Sequence, residues 1–338
     1  MQFGLFGGAN APRGLRTGES ERGYHDFIEA HIEAEALGYH SSFVTEHHFT
    51  GIGQVSATLT LLAWIGARTS TLRLGTAILV LPWHNPVLLA EQAATVDLLT
   101  GGRLDLGVGK GYRHTEFAGF AIPPDEAEPR FAEALGVMVR ALSSDARFSH
   151  HGRFWTFDDI VVEPPPHQRP HPPIWLAAGA SKSIADCAAR DCNLLLNQFA
   201  SPAEVGEKIG LYRQALATAG RRFDPLRVGV ARNLWVARDA ADKAAAIERQ
   251  AALHARLGRL STGSQSRGSH ILAYSGADGG REAHSLIGTP DEIADKLAEL
   301  SAAGVAYVLL NGHGDRDNFR RFAEQVMPAF NGSPLAGP

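Results

Sequence analysis

Ser42-Phe43-Val44-Thr45-Glu46-His47-His48-Phe49 is a short apolar run that ends in a carboxylate and two imidazoles. Read as a strand, the run Ser42 to Thr45 delivers Glu46, His47 and His48 to its carboxyl end. In a ring of parallel strands that end carries the chemistry, whereas the opposite end serves stability. A histidine pair also occurs on ordinary surfaces, so the tetrad acquires meaning from what surrounds it.

Working outward, short apolar runs alternate with longer amphipathic segments, the pattern of parallel strands joined by crossover helices. Eight strands are expected: Phe3 to Phe6, Ser42 to Thr45, Leu72 to Val80, Leu104 to Val108, Ile174 to Ala178, Asn193 to Leu196, Val228 to Val236 and Ala306 to Leu310. Helical patterns fall between them at Tyr24 to Leu37, Ala57 to Arg68, Val87 to Leu99, Phe131 to Leu142, Ser181 to Arg190, Ala203 to Ala219, Ala240 to Leu257 and Pro290 to Ala303, and Phe319 to Phe330 closes the series. Eight such units predict a (β/α)8 TIM barrel, read as one domain over residues 1–338. Two insertions interrupt the repeat. Residues 147–173 read as a small hairpin around His151-Gly152-Arg153, followed by a proline-rich stretch that cannot be helical. Residues 260–286 are rich in Gly and Ser with few large apolar side chains, which predicts a mobile lid loop at the mouth of the barrel.

The chain has 338 residues, 20% of them charged, with a formal net charge of −4 and both signs interspersed, so no nucleic-acid surface is indicated. Cys187 and Cys192 are the only cysteines, and their spacing of five on one expected helix does not suit a disulfide. With no run of about 18 apolar residues and no charged leader before Gln2-Phe3-Gly4-Leu5-Phe6, the expectation is a cytoplasmic protein without a membrane segment.

Several chemistries lack their signatures. Gly107-x-Gly109-x-Gly111 does not have the spacing of a dinucleotide fingerprint, and there is no phosphate loop with Gly-Lys-Ser/Thr. No metal site is expected: the first strand holds no His-x-His, and His150, His151, His167 and His171 fall in the hairpin and proline-rich stretch. Gly263-Ser264-Gln265-Ser266 lies in the flexible loop and not at a strand-to-helix corner, so it is no nucleophile elbow.

Three ordered blocks carry a resemblance. Thr45 to Thr50, Leu72-Arg73-Leu74-Gly75-Thr76-Ala77-Ile78-Leu79-Val80-Leu81-Pro82 and Gly101-Gly102-Arg103-Leu104-Asp105-Leu106-Gly107-Val108-Gly109-Lys110-Gly111-Tyr112 resemble the bacterial luciferase-like flavin monooxygenases, the alpha subunit of luciferase most closely. The resemblance implies that His47 is the catalytic acid/base beside a flavin. Imidazole titrates near neutral pH, as a proton carrier at such a site requires. Glu46 would orient an imidazole or tie a subunit interface, and His48 would pack behind His47. Gly75 and Ala77 are small residues where a flat ring can approach the backbone, and the resemblance implies a cis peptide at Ala77-Ile78 beneath that ring. Ile78 departs from the smaller residue usual in the family.

The loop Gly107 to Arg113 offers unobstructed amides and two cations, so Gly109 and Lys110 are expected at the phosphate of flavin mononucleotide (FMN), with Arg113 as support. Lys110 stands where luciferase has an arginine. Ser181, at the start of the helix after Gly179-Ala180, is expected to complete that phosphate site. Asn85, Asn197, Gln198 and Phe199 are further candidates for the ring pocket. Asp97, Arg103 and Asp105 read as a salt-bridge set without chemistry.

The implied activity is that of an FMN-dependent monooxygenase. A separate NAD(P)H:flavin reductase supplies reduced FMN, and molecular oxygen, through a peroxyflavin, oxidises a small organic substrate. A homodimer or higher homo-oligomer is expected from the family and from the apolar helix bearing Trp64. Two alternatives stand beside this: a deazaflavin-dependent oxidoreductase transferring hydride on the same barrel, and a flavin-binding subunit without its own catalysis.

Overall fold

The computed structural model describes residues 1–14, 16, 18–261 and 284–330. Twelve strands occur among them: β1 (Gln2–Gly7), β2 (Ser41–Val44), β3 (Arg73–Thr76), β4 (Leu79–Val80), β5 (Leu104–Gly109), β6 (Phe148–His151), β7 (Thr156–Ile160), β8 (Ile174–Ala177), β9 (Asn193–Leu196), β10 (Val228–Val236), β11 (Leu286–Gly288) and β12 (Tyr307–Asn311). The helices are α1 (Glu19–Ala36), α2 (Thr58–Gly66), α3 (Pro86–Leu99), α4 (His114–Gly119), α5 (Ala127–Ser143), α6 (Ser181–Ala189), α7 (Pro202–Thr218), α8 (Ala240–Ser261), α9 (Pro290–Ala302) and α10 (Arg316–Gln325). Strands β1, β2, β3, β5, β8, β9, β10 and β12 pair in that order, all parallel, and β12 returns to β1. The ring is closed, as expected from eight β/α units.

Inside the ring Phe43, Trp175, Leu195, Tyr307 and Leu309 form their own buried cluster, while the larger core lies between strands and helices. Phe43 stands beside Gly75 on the neighbouring strand, and a Cβ at Gly75 would come within 2.4 Å of its ring. The glycine exists to admit that ring. Lower in the barrel Asp105 accepts from Arg73 Nε at 2.7 Å and from Trp175 Nε1 at 3.0 Å, so a charge pair and an indole plug the interior.

Several expectations shift. The run Leu72 to Val80 is two strands, β3 and β4, separated by Ala77 and Ile78, whose peptide is cis. Helix α10 begins at Arg316 and ends at Gln325, with a separate 3-10 turn at Met327–Phe330. The three-residue β11 and six-residue α4 were not expected. Cys192 lies just beyond α6 rather than on it, and both cysteines are buried free thiols. Arg103 makes no ion pair among the described residues; it donates to the carbonyls of Gly66, Thr69, Leu72 and Thr100. Asp97 accepts instead from the backbone and side chain of Gln168, each at 2.7 Å, which fastens the proline-rich stretch under the barrel.

The hairpin forms as β6 and β7, antiparallel, with His150 opposite Phe157. Most of the expected lid 260–286 falls outside the described residues. Among the described residues no helix is long and apolar enough to cross a membrane.

Candidate active site

A cavity of about 810 Å³ opens over the carboxyl ends of the strands. Six strands of the ring contribute to it directly, from Phe6 and Gly7 on β1 through Ala177 on β8 to Leu309 and Asn311 on β12, and β2 and β3 through the residues that follow them, Thr45 to His47 and Ala77-Ile78. Its size suits a cofactor and a small organic molecule together. The second half of α8 crosses the mouth rather than staying in the outer helical layer: Gln250, Leu253 and Leu257 face the cavity, and α8 packs on α4.

His47 lies in this lining, one residue past the buried Glu46. Its Nδ1 is 3.1 Å from Glu116 Oε1 on α4. An ionised carboxylate only accepts, so the proton of the neutral imidazole sits on Nδ1 and the lone pair on Nε2. Among the described residues Nε2 has no hydrogen-bond partner. Glu116 is itself held by the His48 amide at 3.0 Å and by Arg113 at 3.5 Å. Burial lowers the His47 pKa; the Glu116 hydrogen bond opposes that and the Arg113 charge reinforces it. The result is a neutral imidazole at neutral pH, ready to accept a proton at Nε2.

Glu46 works from behind. Its Oε1 accepts from His84 Nε2 at 2.7 Å and lies 3.1 Å from His48 Nε2, and its Oε2 accepts from the Val80 amide at 2.7 Å. Burial would raise this carboxyl, but the three hydrogen bonds outweigh it and hold the pKa down at about 2. The carboxylate thereby ties the end of β2 to β4 and to the turn before α3. His48 packs edge-on against Trp83 and Phe120 and does not reach the cavity.

Of the other expected residues, Ala77, Ile78, Gly109, Lys110, Asn197 and Gln198 line the cavity, as does Arg113. Ala77-Ile78 is cis. Gly75 does not line it, because the flat ring it accommodates is Phe43. Ser181 is exposed and outside the lining; Ser183, one step around the turn, is inside and holds Ala180 through both its N–H and its carbonyl. Ser183 covers only the Ala180 amide, and the N-cap residue offers no side-chain acceptor, so the other amides of the first turn of α6 stay available to an anion. Lys110 lies at the rim and pairs with Glu128 of α5. Asn85 caps α3, accepting from the Val87 and Leu88 amides at 3.0 and 3.1 Å, and Phe199 packs against His254; neither lines the cavity.

Four cavity residues carry buried polar atoms without a partner among the described residues: His31 Nε2, Thr45 Oγ1, Arg113 Nε and Asn233 Nδ2. Such atoms are costly unless something meets them. Sequence reading missed Glu116, Asn233, His31 and the α8 residues. The only signal for Glu116 was its spacing of three from Arg113 on a helix too short to show periodicity.

Residues 1–307 match the family described as luciferase-like monooxygenase. The chain belongs to this family. An uncharacterized Sinorhizobium fredii protein, y4vJ, is 32% identical over 66% of this chain, and the chain spans 66% of that relative's length. The FMNH2-dependent dimethylsulfone monooxygenase of Pseudomonas putida is 30% identical over 78% of this chain and 75% of its own. The oxygenase component of the flavin-dependent trigonelline monooxygenase of Acinetobacter baylyi is 25% identical over 99% of this chain and 97% of its own. Among solved structures, monooxygenase RslO1 of Streptomyces bottropensis superposes with a TM-score of 0.82 at 24% identity, covering 98% of this chain and 100% of that one. An F420-dependent secondary alcohol dehydrogenase gives 0.78 at 19% identity, covering 96% and 98%. These two likenesses are of fold.

Proposed function

We propose that this chain is the oxygenase component of an FMN-dependent monooxygenase that takes FMN already reduced by a separate NAD(P)H:flavin reductase. It would pass one atom of molecular oxygen to a small organic substrate and the other to water. The observation that carries the reading is the His47-Glu116 pair, which faces a cavity large enough for cofactor and substrate with a lone pair at Nε2. The relatives whose names state FMNH2 or flavin dependence support the choice of cofactor.

The residues present fit that group. The uncapped first turn of α6 and the Lys110 charge suit a phosphate. Gly109 keeps the wall thin, since a Cβ there would come within 2.6 Å of Ile78. The unpartnered Thr45, Arg113 and Asn233 atoms suit the polar edge of a ring or its ribityl chain. Reduced FMN supplies the electrons that activate oxygen. The protein contributes a proton site at His47 Nε2, a tautomer fixed by Glu116, and a roof from Leu253 and Leu257 that restricts water.

We infer further that two copies pair through α2 and α3. Trp64, Leu88 and Leu99 are 59%, 54% and 70% exposed there, and α2 carries no charged residue. A helix that is apolar all round is a covered helix. A cytoplasmic location suits an enzyme served by a soluble reductase.

The test is anaerobic titration of the protein with reduced FMN followed by an oxygen pulse in a stopped-flow absorbance instrument. Expected are saturable binding and a transient absorbance absent from free FMN under the same conditions. A reoxidation trace identical to free flavin, or hydride transfer from reduced F420 in place of oxygen consumption, would overturn the reading.

A further inference from the structure

The cavity is polarised across the barrel. In the eight-strand ring β1 lies four strands from β8 and β12 four strands from β5, so these two pairs face one another. The β5/β8 side carries Lys110, Glu128 and the uncapped turn of α6. The β1/β12 side is lined by Phe27 and His31 of α1, by Asn311 at the end of β12 and His313 after it, and by Phe319 of α10. No side chain from β1, β12, α1 or α10 in the lining is a carboxylate, an ammonium or a guanidinium.

His31 is the informative residue at this end. It is 1% exposed, and its Nδ1 is 2.6 Å from the Phe27 carbonyl, which accepts and so fixes the ring proton on Nδ1. Nε2 is therefore an acceptor, and among the described residues it is buried without a partner. The ring centroid lies 4.0 Å from that of Phe27, and Gly314, after β12, stands beside the same Phe27. An imidazole needed only for packing is replaceable by an apolar residue, whereas one with a buried lone pair costs stability until a donor meets it.

We propose that the β1/β12 end of the cavity is the subsite for the organic substrate, and that it takes an uncharged molecule with an aromatic or apolar body and a hydroxyl or amide N–H that donates to His31 Nε2. The assignment rests on the monooxygenase reading for its chemistry but not for its binding. Burial lowers the His31 pKa to about 4 against the opposing Phe27 hydrogen bond, and burial with the Arg249 charge lowers that of His313. Both rings are thus neutral at neutral pH, and the groups that β1, β12, α1 and α10 present to the lining are uncharged. A site built to bond a donor discriminates strongly against the analogue lacking it, because its own polar atom is otherwise left unpaired.

The experiment compares phenol, toluene and benzoate as probes by calorimetric titration of the wild-type protein, His31→Leu and His31→Gln, each with FMN affinity measured in parallel. Phenol should bind the wild type at least about tenfold more tightly than toluene, and benzoate should bind more weakly than phenol. His31→Leu should bring phenol to the level of toluene, while His31→Gln, which keeps an acceptor, recovers part of the difference. Equal binding of phenol and toluene to the wild type, no binding of phenol, or a His31→Leu protein that still prefers phenol would each overturn the proposal. Should His31→Leu not fold, the three-probe comparison in the wild type decides alone. Loss of FMN binding with phenol selectivity intact would count against the monooxygenase reading and leave the subsite standing; FMN binding without phenol selectivity would do the reverse.

Discussion

Glu46→Gln separates the charge of the buried carboxylate from its hydrogen bonds. The Val80 amide can only donate, so the glutamine carbonyl must stay with it. The amide NH2 then faces His48 and His84, whose rings can change tautomer and accept. The change therefore removes charge with little loss of geometry. A carboxyl held at about 2 instead of its ordinary 4.5 contributes roughly 3 kcal/mol at neutral pH, at ~1.36 kcal/mol per pH unit. Because Glu46 is 2% exposed, solvent screening takes little from that figure. The sign follows from a depressed folded value. The contribution is complete above about pH 5 and is lost as pH falls from the ordinary 4.5 towards 2, with about 2 kcal/mol of it gone at pH 3. Urea unfolding followed by tryptophan fluorescence should show Glu46→Gln less stable than wild type by about 2–3 kcal/mol at pH 7, and by no more than about 1 kcal/mol at pH 3. A difference of the same size at both pH values would refute the argument, since a purely steric cost does not titrate.

His47→Ala should bind FMN nearly normally and lose at least about tenfold in substrate turnover. His48→Ala should cost less, because His48 does not reach the cavity, and full activity of His47→Ala between pH 6 and 8 would remove it from proton transfer. Lys110→Glu should weaken FMN binding in a fluorescence titration by reversing the charge beside the α6 turn, and an unchanged dissociation constant would take the rim lysine out of the phosphate site. Gly107→Ala places a Cβ 1.8 Å from the Thr76 carbonyl of the neighbouring strand, where no side chain can yield; a loss of at least about 3 kcal/mol is expected, and a melting temperature within a degree or two of wild type would contradict the packing. Trp64→Lys should shift the protein towards monomer in sedimentation velocity, and a wild type already monomeric at micromolar concentration would dispose of the α2-α3 pairing.

The barrel was legible because each ring strand is a short apolar run closed by polar or small residues. For β9 and β10 the expected and observed bounds coincide. The break between β3 and β4 was not legible as such, since Ala77-Ile78-Leu79-Val80 runs on apolar from the end of β3 with no turn-forming residue between the two strands. Helix α4 is too short to show a period and β11 too short to show alternation. At the site, residues on the strand ends could be placed from the chain alone: His47, Ala77, Gly109 and Lys110 all face the cavity. Ser181 failed by register, because one face of the α6 turn looks inward and that face belongs to Ser183. Gly75 failed because a small residue announces a flat neighbour without saying whose it is. Glu116 was invisible for a different reason: its partner comes from a distant segment, and it meets His47 across 69 residues.

The plugged interior bears on traffic. Leu195 and Leu309 belong both to the packed cluster inside the ring and to the lining of the cavity, so the cavity has a sealed floor above Phe43, Trp175 and Tyr307. Among the described residues no passage runs down through that floor, so traffic stays on the mouth side of the barrel. A bulky first arrival then obstructs the second, so exchange follows a queue in which the molecule seated deepest departs last.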